Sequence, residues 1–115
     1  MAHLKDKPTL ADLQQYMDAV CTERGWNKNN PLETFLLFSE EVGELAKAIR
    51  NQRGLYQEAA KAHQKPSSTK QALEEEFADV LGYIFDLANH FEVDLEKAFR
   101  AKEAINEQRD WGKSK

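Results

Sequence analysis

The sequence predicts an all-α fold, a four- to five-helix bundle whose two long central helices run antiparallel. Three observations carry that expectation. Gly (5) and Pro (3) are scarce, while Ala, Leu, Glu, Lys and Gln, which lose little on entering a helix, are plentiful. Apolar residues recur at three- and four-residue spacing along most of the chain, and no stretch alternates with period two. Capping residues and glycines punctuate those periodic stretches where helix ends are needed.

The elements follow in order. Thr9, after Pro8, is placed to cap a first helix, with Asp12 three positions on in capping-box register. Leu10, Leu13, Met17 and Val20 keep helical spacing, and Gly25 closes the segment. Asn30-Pro31 opens a second helix, a capping side chain followed by the proline suited to a first helical position. Phe35, Phe38, Val42, Leu45 and Ile49 trace its apolar face, and Gly54 ends it. LYQEAAKAHQ can form a further short helical piece, and KPSSTK reads as a loop. Ser68 with Gln71 makes another capping box, opening a third helix with Leu73, Phe77, Leu81, Ile84, Ala88 and Phe91 on one face. Asp94 caps a fourth, which carries Leu95, Ala98, Phe99 and Ile105.

Composition excludes several function classes. A length of 115 residues is one domain's worth, so residues 1–115 are expected to form a single unit. A net charge of −4 argues against sequence-independent binding to a nucleic acid polymer, which needs a basic face. The lone Cys21 rules out an internal disulfide and suits a reducing cytosol. No apolar run is long enough for a membrane span, and MAHLKDKPTL lacks a signal-peptide core. A soluble cytoplasmic protein is expected.

The acids in FSEEVGELAKAIR are unusually placed. With Phe38 as zero, Glu41 lies about 60° and Glu44 about 120° to one side of the apolar stripe, while Glu40 lies about 160° away, towards solvent. In LEEEFADVLGYI, taking Phe77 as zero, Glu76 lies about 100° and Asp79 about 160° to one side. Each central helix thus sets an acid–x–x–acid pair beside its apolar stripe. Facing each other, the two pairs would gather four carboxylates that repel by roughly several kcal/mol even at an effective dielectric near 20. Divalent cations relieve that repulsion, and all-oxygen ligands select hard ones, so Mg²⁺ is the expected guest with Mn²⁺ as a substitute. The alternative is a pair of solvated helix edges, since acids are frequent in a chain with 20 of them.

The order Glu41-x-x-Glu44, then Glu76-x-x-Asp79, resembles the MazG-like all-α nucleoside triphosphate pyrophosphohydrolases, a superfamily related to dCTP pyrophosphatases and dimeric dUTPases. EEVGELAKAIR and EFADVLGYIFDLA are similar to the family's two central helices, GWN lies upstream, and VDLEKAFRAKEAINEQRDW lies downstream. The resemblance spans roughly residues 24–111. Residues 51–72 are longer than in compact relatives, and Glu92 stands where the family often has glycine.

The resemblance implies Mg²⁺-dependent hydrolysis of a (deoxy)nucleoside triphosphate between the α and β phosphates, yielding a monophosphate and pyrophosphate and serving nucleotide-pool house-cleaning. Glu41, Glu44, Glu76 and Asp79 would hold the metal, and a glutamate of the cluster, Glu41 among them, or Glu40 would act as general base. Lys102, Asn106 and Arg109 share one helix face and are candidate substrate contacts. Trp26, Phe38, Tyr83 and Trp111 are candidates to stack on the base, and the Tyr83 hydroxyl could reach a phosphate or a ligand carboxylate. Asp86 and His90, four apart, suit a structural hydrogen bond. So short a chain is expected to assemble as a homodimer or as a homotetramer built from dimers, with the first helix as a candidate contact. The competing reading is a non-catalytic helical module binding a nucleotide or a protein on the same scaffold.

Overall fold

The computed structural model describes residues 2–54 and 70–109. The described residues form four α-helices and one 3₁₀ turn, with no strand among them. The helices are α1 (Leu10–Arg24), α2 (Pro31–Arg53), α3 (Lys70–His90) and α4 (Leu95–Glu107). The helical piece at LYQEAAKAHQ, the KPSSTK loop with its Ser68 cap, and Trp111 lie outside the described residues.

Local chemistry fixes the helix ends. The Thr9 hydroxyl accepts from the Asp12 amide at 3.0 Å, and the Asp12 carboxylate accepts from the Thr9 amide at 2.8 Å, completing the capping box. Asn30 and Glu33 repeat the device at α2, with Pro31 at its first position. Gly25 (φ 72°) and Gly54 (φ 68°) end α1 and α2 in the left-handed region, where a side chain is strained. After Gly25 the chain makes one 3₁₀ turn, Trp26–Lys28, before α2 begins.

The end of α3 uses the same geometry without glycine. The Glu92 amide donates to the Asn89 carbonyl at 3.2 Å and the Val93 amide to the Ala88 carbonyl at 2.9 Å, the paired bonds of a Schellman motif. Glu92 therefore takes the left-handed position, at φ 55°. Asp94 then caps α4, accepting from the Lys97 amide at 3.0 Å.

The main packing surface joins α2 to α3, α1 lies against α3, and α4 rests on α1. Thr34, early in α2, meets His90 at the end of α3, whereas Glu41 meets Glu76 and Asp79 earlier on α3. Val20, Cys21, Ala48, Phe85 and Ala88 are the buried apolar residues, and Gln14 and Thr34 are buried polar ones. Gln14 joins three elements. Its amide nitrogen donates to Asn89 Oδ1 at 3.0 Å and to the Val93 carbonyl, its oxygen accepts from the Leu95 amide at 3.0 Å, and its own carbonyl accepts from Asn89 at 3.1 Å.

The buried seam differs from the one expected. The stripe centred on Phe38 was expected to face the core, yet Phe35, Val42 and Ile49 are exposed, Phe35 by 51%. The buried row of α2 is Thr34 and Ala48, with half-buried Glu41 between them at seven-residue spacing. The helix is turned about its axis so that the neighbouring row enters the α2–α3 seam. On α3, Phe77 (53% exposed), Leu81, Ile84 and Phe91 likewise lie outside, as do Phe99 and Ile105 on α4. On α1, Val20 and Cys21 are buried within the chain, while Leu10, Leu13 and Met17 are half-buried. Among the described residues, no helix is long and apolar enough to cross a membrane.

Candidate active site

The rotation of α2 brings Glu41 into the seam opposite two acids of α3. Carboxylate oxygens of Glu41, Glu76 and Asp79 all lie within 4.8 Å of one another. Glu41 and Glu76 are half-buried and Asp79 is exposed, so the cluster opens to solvent on the Asp79 side. Burial pushes the Glu41 carboxyl above its usual range, with Asp79, Glu76 and Glu44 adding like-charge repulsion and a hydrogen bond shared with Glu76 adding to the shift. Such a bond exists only while one partner keeps its proton. With both ionised, Glu76 Oε2 is fully buried with no donor to accept from.

That orphaned oxygen is the direct test of whether a cation fits. A buried carboxylate oxygen without a donor is costly, and a divalent cation supplies what the protein does not. The donor set is oxygen only, which matches Mg²⁺ or Mn²⁺.

Glu44 does not join the cluster. It is exposed, one helical turn along α2, and its charge is felt at Glu41. Glu40 is exposed as expected and acts on Tyr83 through its charge.

A cleft of about 590 Å³ adjoins the acids. Glu41, Asp79, Tyr83 and Asp86 line one side of it, and Met17, Val20 and Leu37 supply apolar wall. Trp26 stands at the lip, 52% exposed, with the Arg24 guanidinium 4.8 Å from its ring centroid. The Gly25 turn sets it there, reversing the chain directly after α1. Burial, followed by the charges of Glu41, Asp79, Asp86 and Glu40, raises the Tyr83 hydroxyl above its usual pKa, so it stays a donor.

Trp26 and Tyr83 both line the cleft. Phe38 does not line it and packs on Phe35, ring centroids 6.0 Å apart. Lys102, Asn106 and Arg109 lie on or just beyond α4 and do not line the cleft of their own chain. Asn106 donates to Glu103 at 3.4 Å.

The cleft also contains Cys21, Arg24, Asn29 and Thr34, none of them expected at the site, and Asp86, expected only in a structural hydrogen bond with His90. Two carried a legible signal. Thr34 shares the seven-residue row of Glu41, and Asp86 lies seven residues after Asp79 on the same face of α3.

Comparison with known proteins agrees with this geometry. Residues 29–110 match the MazG nucleotide pyrophosphohydrolase domain. The chain is 36% identical over 97 residues to the uncharacterised protein YvdC of Bacillus subtilis, covering 80% of this chain and 87% of that one. It is 34% identical over 108 residues to dCTP pyrophosphatase 1 of Rattus norvegicus and 33% identical over the same length to that of Homo sapiens. In both cases 90% of this chain is matched, and it spans 59% of the relative's length. By the extent of these matches, the chain belongs to the MazG nucleotide pyrophosphohydrolase family.

Proposed function

We propose that the protein hydrolyses a (deoxy)nucleoside triphosphate at the α–β phosphate bond, in a Mg²⁺-dependent reaction that releases a nucleoside monophosphate and pyrophosphate. The observation that carries this reading is the convergence of Glu41, Glu76 and Asp79 beside a nucleotide-sized cleft, with one buried carboxylate oxygen lacking a donor. The names of the dCTP pyrophosphatase relatives support a deoxynucleotide as substrate and house-cleaning as the role.

Glu41, Glu76 and Asp79 would hold the cation, and Glu44, one turn along α2, would add its charge to the set. When bound, the cation offsets the charge of carboxylates and phosphates and makes a nearby water more acidic. The protein's own groups do the rest. A glutamate of the cluster, or Glu40 beside it, takes the proton of the attacking water. Trp26 offers a flat apolar face to the base, and the Tyr83 hydroxyl, kept protonated by burial and its acidic neighbours, donates towards the phosphate end.

The exposed apolar rows on α2, α3 and α4 support assembly into a homodimer or a homotetramer. In such an assembly Lys102, Asn106 and Arg109 would serve a cleft of another copy. The pairing of Thr34 with His90, and of Glu41 with Glu76 and Asp79, supports the antiparallel arrangement of α2 and α3. The free, buried Cys21 supports work on free nucleotides in a reducing cytoplasm.

The test is product analysis on a panel of nucleoside triphosphates with Mg²⁺. Monophosphate and pyrophosphate are expected, and diphosphate with orthophosphate would refute the bond assignment. Mg²⁺-dependent binding without turnover across the panel would favour a non-catalytic nucleotide-binding module.

A further inference from the structure

The far end of the cleft, beyond the acids, holds a polar group the reaction does not use. Asp79, Tyr83 and Asp86 follow one another at i, i+4 and i+7 and so share a face of α3. Seven residues of helix advance about 10 Å, roughly the span from a nucleotide's α-phosphate to the outer edge of its base. All three line the cleft, and Trp26 and Leu37 provide apolar surface against which a flat ring can lie. A triphosphate held at Glu41 and Asp79 and laid along α3 would bring its base to Asp86.

The Asp86 side chain is only 14% exposed. The Cys21 thiol donates to it, the His90 ring lies 3.8 Å from it, and the Thr34 hydroxyl is 3.4 Å from the same ring nitrogen. Burial raises the Cys21 thiol to about 11, with the Asp86 charge and hydrogen bond adding to it, so Cys21 remains a donor at neutral pH. A carboxylate has about four lone-pair sites, and these neighbours engage about two, leaving capacity for a donor from the cleft.

We propose that Asp86 is a specificity-determining residue that reads the edge of the base, accepting from the exocyclic amino group of a 4-amino pyrimidine and disfavouring the 4-oxo analogue. The amino group brings an N–H to the carboxylate, whereas an oxo group brings lone pairs against a negative charge in a semi-enclosed site. The inference rests on the proposed nucleotide hydrolysis and adds the residue that selects the base.

The experiment compares kcat/KM for dCTP and dUTP in the wild type, Asp86→Asn and Asp86→Ser. A hydrogen bond to a charged group corresponds to roughly a 10- to 100-fold preference for dCTP in the wild type. In Asp86→Asn the amide can turn its NH₂ towards an oxo group, so the preference should fall at least about tenfold or invert. Asp86→Ser should lose most of it. The ratio of the two constants does not depend on the folded fraction, so partial misfolding of a variant leaves the answer intact. An unchanged ratio in both variants, or a wild type without preference for dCTP, overturns the proposal. If the wild type hydrolyses neither nucleotide, the proposed function fails on its own. Competition between α,β-imido dCTP and α,β-imido dUTP for binding, with the same variants, then decides the role of Asp86.

Discussion

At the residue scale, Glu41 sits in the seam where a helix would ordinarily place an apolar side chain. Glu41→Gln or Asp79→Asn should lower kcat/KM by about 10²- to 10³-fold or more while the helical circular dichroism stays unchanged; full activity in either variant would remove the cluster from the reaction. A linked effect on stability follows from burial. The Glu41 carboxyl titrates above its ordinary 4.5 in the folded protein, as Asp86 does above 3.8. A raised acid binds its proton more tightly when folded, so stability is highest at pH below the unfolded values and is lost as pH rises through the folded ones. In EDTA the melting temperature should therefore fall between about pH 4 and neutrality, and Glu41→Gln should flatten that fall; a melting temperature that rises over this range would contradict the burial of the cluster. Glu41, Glu76 and Asp79 were legible in the sequence as acids beside apolar stripes. The exposure of Glu44 was not, because a helix's rotation about its axis is set by what it packs against, and the stripe through Phe35, Val42 and Ile49 turned outward.

At the scale of elements, the helix limits were legible because capping is local chemistry within three or four residues, as at Thr9–Asp12, Asn30–Glu33 and Asp94. The left-handed strain at Glu92 could also be anticipated, from the absence of glycine at a turn. Glu92→Gly should stabilise the protein by about 1 kcal/mol, read as a higher denaturation midpoint, because φ 55° carries no Cβ penalty in glycine. Gln14 was not legible, since its partners Asn89, Val93 and Leu95 are 75, 79 and 81 residues away. Gln14→Ala leaves the Val93 carbonyl and Leu95 amide without their side-chain partner in a part-buried joint, at a cost of about 2 to 3 kcal/mol by chemical denaturation. A loss below about 0.5 kcal/mol would show that water replaces the amide there.

At the scale of the whole molecule, the apolar periodicity that announced the helices serves two surfaces. One row of α2 closes the seam with α3. Its neighbour joins Phe77, Leu81 and Ile84 of α3 among the exposed apolar residues, a surface suited to contact between copies. Light scattering at micromolar concentration should report a dimer or tetramer, and Phe77→Glu should shift it towards monomer; a monomeric wild type would contradict the assembly. The sequence could not distinguish the two rows, because both satisfy helical spacing and only the partner surfaces differ. The seam, the cleft and the acidic cluster depend on one another, since the packing that buries Thr34 and Ala48 also presents Glu41 to Glu76 and Asp79. The most direct test of that account is the melting temperature of the nucleotide-free protein at neutral pH, with EDTA and with millimolar Mg²⁺, in the wild type and in Glu76→Gln. The account predicts that Mg²⁺ raises the wild-type value and leaves Glu76→Gln nearly unmoved; no rise in the wild type, or an equal rise in both, would contradict it.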